Sequence, residues 1–171
     1  MVEPLSRLRG LPDRRPLVSL VLAVAACLVV GSSGSVFTAM GLRSWYPSLT
    51  EPAFAPPSWV FGPVWTTLFV LMGVAAWLVW RGALGSDAGA ARTALVAFAG
   101  QFVLNVAWSA AFFGLQSTTL GLVVVVALWL AIAVTIRLFA RVDRRAAALL
   151  VPYLAWVTVA TYLTYGYWAL N

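Results

Sequence analysis

GLRSWYPSLTEPAFAPPSWVFGPVWTTLF, residues 41–69, is a proline- and tryptophan-dense connector that feeds directly into an apolar helix. Pro47, Pro52, Pro56 and Pro57 lack an amide donor and restrict the residues before them, which argues against a regular helix through the segment. Around them stand Trp45, Tyr46, Phe54, Trp59 and Phe61, large flat side chains, some with a polar handle. Two readings follow from the stretch alone: a structured lid or cavity wall at a membrane surface, or an interfacial aromatic belt.

The membrane itself is inferred from composition. A chain of 171 residues with 63% apolar and 9% charged residues, and a mean hydropathy of +0.94, reads as an integral membrane protein rather than a soluble domain. With no histidine and one cysteine, the chain supplies neither a His/Cys metal cluster nor a disulfide framework. Cys27 lies in an apolar run and reads as a small buried residue, a reactive thiol or haem-thiolate being the remote alternative. The net charge of +6 is carried by arginines beside the ends of apolar segments. That placement reports membrane orientation and gives no reason to expect a nucleic-acid partner.

Five spans are expected, making an all-α integral membrane protein with a five-transmembrane-helix bundle. Residues 1–16 form a basic polar tail, and the membrane domain covers 17–171 with spans at about 17–40, 58–80, 94–113, 119–139 and 146–170. The first run is read as a retained span rather than a cleaved signal, and no soluble domain is expected beyond Asn171. Residues 42–57 form the lid loop, 82–93 a small-residue loop, and the brief turn at 114–118 makes the third and fourth spans antiparallel neighbours. Gly31, Ser32, Ser33, Gly34 and Ser35 form a patch suited to close helix approach or a local irregularity. Ten of the 11 basic residues fall in the tail, the 81–93 loop and the 137–145 region, against Arg43 alone in the connector. Positive residues accumulate on the cytoplasmic side, so the N-terminus is expected inside and the connector outside, in a bacterial inner membrane.

Chemistry-bearing residues gather on helical faces. Gln101, Asn105 and Trp108 share one face of the third span, where an amide must meet protein or a ligand rather than lipid. Interhelical hydrogen bonding is the plain alternative for both amides. Phe61, Trp65, Phe69 and Met72 form a stripe on the second span, and Tyr153, Trp156, Ala160 and Leu163, with Tyr167 farther along, form one on the fifth. Juxtaposed, these stripes wall a tall cavity for an apolar planar small molecule. Trp77, Trp80 and Trp129 read as structural, and Glu51 as an exposed solubilising carboxylate, contact with a substrate charge being the alternative. Ala107 and Ala111 have a spacing that permits close packing within one chain or in a homodimer. No histidine base, paired carboxylate at membrane depth or phosphate loop is present, so no catalytic residue is assigned. Whether the chain is an enzyme stays open.

Three ordered motifs carry a resemblance over about residues 20–171: WYPSL (45–49) running on to PPSWVFGPVWTTLF (56–69), then GQFVLNVAWSAAFFG (100–114), then VPYLAWVTVATYLTY (151–165). The pattern resembles the TspO/MBR family of tryptophan-rich sensory and translocator proteins. The resemblance implies a five-helix bundle, frequent homodimerisation, and binding of porphyrins, haem-like tetrapyrroles, sterols or synthetic ligands in a pocket covered by the first loop, with no required cofactor. Carried over, it implies a ligand-binding set of Tyr46, Pro56 and Pro57 in the lid, Phe61 and Trp65 on the second helix, Asn105 and Trp108 on the third, and Trp156 and Ala160 on the fifth. Trp65 and Trp156 match two tryptophans implicated in light-dependent porphyrin breakdown in some relatives.

This chain departs from the family pattern in four places. Glu51-Pro52 stands where lysine-proline is usual, Phe54 where tryptophan is usual, Thr164 replaces an asparagine, and no arginine follows Tyr165. The resemblance therefore favours a membrane receptor or sensor for porphyrins or related tetrapyrroles, with a contribution to their transport left open, over cholesterol transfer. Light-dependent porphyrin degradation, and a regulatory or structural membrane protein acting through a partner, are the alternatives.

Overall fold

A computed structural model describes residues 11–82 and 88–171. The expectations for residues 1–10, including Arg7 and Arg9 of the basic tail, and for 83–87 of the second loop lie outside the described residues. The described chain contains α1 (Leu11–Arg14), α2 (Pro16–Ser33), α3 (Ser35–Ser44), α4 (Ser58–Gly82), α5 (Ala88–Ser109), α6 (Thr118–Val142) and α7 (Arg144–Leu170). A single-turn 3₁₀ helix, Tyr46–Ser48, and a π-helical turn, Ala110–Gly114, complete it. With α2–α3 taken as one crossing and α5 continuing through the π turn, five helices are long and apolar enough to cross a membrane. The protein is an all-α, five-helix membrane bundle.

Several boundaries differ from the sequence reading. Residues 11–14 of the basic tail are helical, and residues 42–44, expected in the lid, complete α3. Expected in a loop, Ala88–Thr93 is the first part of α5. Alanine is the strongest helix former, and three alanines there outweigh the single Gly89.

Packing follows the small residues. The helices are arranged in a ring, α2 against α4, α4 against α7, α7 against α6 and α6 against α5, with α3 closing onto the π turn. A Cβ on Gly73 would meet the Val24 backbone at 2.6 Å, so α2 and α4 are in near-backbone contact there. The small-residue patch is where the first crossing breaks: Gly34 separates α2 from α3 and donates its amide to Gly31 O at 3.3 Å. Side chains set two other ends. Ser117 Oγ accepts from Leu120 N at 3.2 Å to start α6, and Asp143 Oδ1 accepts from Arg145 N at 2.7 Å to start α7. Gln116, at φ 53°, lets the chain reverse between α5 and α6.

Met72, Val79, Val125, Ile132, Phe139 and Tyr153 are fully buried at the bundle centre. Trp77 donates its indole N–H to Ser19 Oγ at 2.9 Å, and Trp129 donates to Thr158 Oγ1 at 2.9 Å. Both tie helices together. Ala111 is buried within the chain, so its small side chain serves packing here, while Val96 and Val103 of α5 face outward.

Candidate functional site

Beneath the connector is a cavity of about 410 Å³. This falls in the range of small-molecule sites, roughly 300–1,000 Å³. Three helices and the connector build it. Gly31, Ser35 and Thr38 come from α2–α3, Phe61, Trp65 and Phe69 from α4, and Asn105, Trp108 and Ser109 from α5. Tyr46, Glu51 and Pro56 of the connector form its upper boundary. Glycine on α2 is required because Phe69 occupies the space a Cβ at Gly31 would need.

The aromatic wall is continuous. Trp65 stacks on Phe69 with ring centroids 5.6 Å apart, and tilts against Trp108 at 6.5 Å. Trp108 in turn stacks on Phe112 at 6.2 Å. Such faces favour a flat apolar ligand. Behind the wall runs a buried polar chain: Asn105 Nδ2 donates to the Tyr153 hydroxyl at 3.0 Å, which donates to Gln101 Oε1 at 3.0 Å. Gln101 is thus a helix-joining amide, and Asn105 is both that and part of the cavity surface. The indole nitrogens of Trp108 and Trp156 and Gln101 Nε2 are buried without a protein partner.

The connector is fastened to α7. The hydroxyls of Tyr46 and Tyr167 are 2.5 Å apart. Asn171 Oδ1 accepts from Thr50 N at 2.8 Å, and its Nδ2 donates to Thr50 O at 3.2 Å. Pro52 lies so close to Gly166 that a Cβ there would meet Pro52 Cγ at 2.7 Å. Burial pushes the Tyr46 hydroxyl above the ordinary tyrosine range, the bond to Tyr167 opposing this and the charge of Glu51 adding to it. Phe54 and Trp59, by contrast, are exposed.

Of the nine residues expected at a ligand site, the cavity brings together Tyr46, Pro56, Phe61, Trp65, Asn105 and Trp108. Trp156 lines a different space, an open groove of about 530 Å³ between Pro63–Leu71 of α4 and Pro152–Val159 of α7. Phe61 stands between the two, packing edge-on against Trp156 at 5.6 Å. Ala160 is buried in the bundle, and Pro57 borders the cavity residue Pro56. The expected sandwich between the Trp65 and Trp156 stripes is therefore not the arrangement seen. The reason is the rotation of α7: Tyr153, Val157, Ala160, Thr164 and Tyr167 form its buried stripe, which leaves Trp156 at the edge toward α4. Met72, expected at the wall, is in the core.

Sequence reasoning did not assign Gly31, Ser35 and Thr38 to the site. The small-residue patch that holds Gly31 and Ser35 is the available signal for those two, and Thr38 follows one turn on. The patch predicts close helix approach or a local irregularity, and in the structure it also borders the cavity.

Fold and site together define a class: a small five-span membrane protein enclosing an aromatic-walled cavity under a proline-rich connector. The chain belongs to the TspO/MBR family, whose model matches residues 23–169. It is 43% identical over 157 residues to a Tryptophan-rich protein TspO of Chlorobaculum tepidum, covering 92% of this chain and 98% of the relative. A Tryptophan-rich protein TspO of Archaeoglobus fulgidus is 37% identical over 155 residues, covering 91% and 98%. The Translocator protein of Homo sapiens is 39% identical over 160 residues, covering 94% and 92%.

Proposed function

We propose that this chain is a membrane receptor or sensor that binds porphyrins or related tetrapyrroles in the cavity beneath the connector, and that it contributes to their movement across or within the membrane. One observation carries the reading: Phe61, Trp65 and Trp108 present flat apolar faces in a space that also holds the polar groups of Tyr46 and Asn105. The family resemblance supplies the ligand class. The arginine distribution supports an N-terminus in the cytoplasm and the connector on the outer face of a bacterial inner membrane. Homodimerisation is part of this reading, and crosslinking in bilayers tests it.

The test of the ligand is a porphyrin titration followed by protein fluorescence quenching and by the shift of the porphyrin band. Trp65→Phe and Trp108→Phe together should weaken binding at least tenfold, while Trp156→Phe, in the groove, should change it less than twofold. Equal effects from cavity and groove variants would remove the cavity from consideration.

Light-dependent porphyrin degradation is the second reading. The stacked Trp65–Phe69 pair in the cavity wall favours it, because a bound porphyrin would lie against an oxidisable indole. It requires loss of the porphyrin band in light, faster than in detergent alone, with a defined product.

A further inference from the structure

The cavity is chemically one-sided. Among the described residues that line it, Glu51 is the only charged side chain. Three of its hydroxyls spend their protons on the backbone: Ser35 Oγ donates to Ser32 O at 2.6 Å, Thr38 Oγ1 to Gly34 O at 3.3 Å, and Thr66 Oγ1 to Gly62 O at 2.9 Å; Ser32, Ser58 and Ser109 line it as well. What the first three offer a ligand is lone pairs. One of the two N–H groups of Asn105 Nδ2 is given to Tyr153. The indole N–H of Trp108 is buried on this wall without a protein partner.

Nor is Glu51 a loosely tethered surface charge. Thr50 before it is hydrogen-bonded through both its amide and its carbonyl to Asn171, and Pro52 after it is packed on Gly166. A residue preceding proline is held near extended backbone, so the backbone that carries Glu51 is anchored on both sides at the cavity boundary. A negative charge there repels ligand carboxylates and attracts ammonium groups.

We propose that Glu51 sets the charge class of the ligand, so that the cavity takes planar ligands that are neutral or carry amine or ammonium groups at the connector and discriminates against those carrying carboxylates there. The inference rests on the cavity being the tetrapyrrole site proposed above. For a tetrapyrrole it means one whose acid side chains are esterified, amidated or absent. Glu51 is exposed and solvent screening is strong, so the expected discrimination is modest, about three- to tenfold at low ionic strength.

The experiment uses the full chain in an uncharged detergent and one porphyrin in three forms: the free diacid, the neutral dimethyl ester, and a derivative ending in two ammonium groups. Wild type should bind the ammonium form more tightly than the diacid, and the gap should contract in about 1 M salt, where the Debye length falls to about 3 Å. Glu51→Gln should abolish the gap and Glu51→Lys should reverse it, with ester binding unchanged throughout. Equal affinities for the charged forms in wild type, a preference unmoved by both substitutions, or a parallel loss of ester binding would overturn the role of Glu51 and leave the tetrapyrrole site standing. Failure of all three forms to bind would overturn the tetrapyrrole reading and this inference with it.

Discussion

The hydroxyl of Tyr46 lies 2.5 Å from that of Tyr167, a residue 121 positions later in the chain. The bond joins the connector to α7, and the Thr50–Asn171 pair repeats the join a few residues on. The roof of the cavity is therefore fastened to a helix that contributes none of its lining residues. Removing one such bond costs about 0.5–1.5 kcal/mol. Tyr46→Phe or Tyr167→Phe should accordingly speed amide exchange at residues 45–52 by up to about tenfold, with little change within α6.

Alkaline pH should release the same latch. The hydroxyl of Tyr46 has its pKa raised by burial, and Glu51 contributes in the same direction. A tyrosine whose folded pKa lies above its unfolded value of about 10 contributes fully below pH about 10 and loses that contribution as the pH rises through the folded value. Connector exchange should therefore be flat from neutrality to about pH 9 once corrected for intrinsic exchange, and should accelerate above about pH 10. In Tyr46→Phe the acceleration attributable to this residue should disappear. A transition centred near neutrality would contradict the assignment.

Close approach of α2 and α4 makes Gly73 intolerant of even one methyl group. Its Cβ would meet Val24 backbone at 2.6 Å, whereas Gly100 has nothing within 4 Å. Overpacking against backbone costs roughly 1–3 kcal/mol, so Gly73→Ala should lower the thermal midpoint by several degrees. Gly100→Ala should be neutral or mildly stabilising through helix propensity.

Removal of the Tyr153 hydroxyl leaves Asn105 Nδ2 and Gln101 Oε1 without their shared partner. Stranding buried polar groups costs about 1–3 kcal/mol. Interhelical bonds measured within membranes average near 0.6 kcal/mol, which argues for the lower end of that range. Tyr153→Phe should destabilise the bundle measurably, and porphyrin affinity should shift through the freed Asn105 amide.

Local pattern made the five crossings legible: long apolar runs bounded by arginine, and prolines that forbid a helix through the connector. The start of α5 at Ala88 was hidden because the alanines there are interspersed with residues that also mark loops. Periodicity identified the aromatic stripes of α4 and α7 but not their rotation about the helix axis. Trp156 consequently faces a groove and Tyr153 a polar chain. The Tyr46–Tyr167 latch joins positions too distant for any local pattern to report. Glu51 is legible as a departure from the family pattern, and only the structure shows that its backbone is anchored at the cavity boundary by Thr50 and Pro52.

Where Gly31–Ser35 borders the cavity, the partition between that space and the surrounding acyl chains is a single helix thick, with Val29, Val30 and Val36 turned outward. The bilayer is in effect the outer skin of the site. That helix meets Phe69 at Gly31 and Ser109 at Gly34, and its other face is left to whatever surrounds the bundle, lipid in a vesicle and detergent in a micelle. Affinities measured in detergent and in vesicles will therefore report two differently braced versions of one cavity.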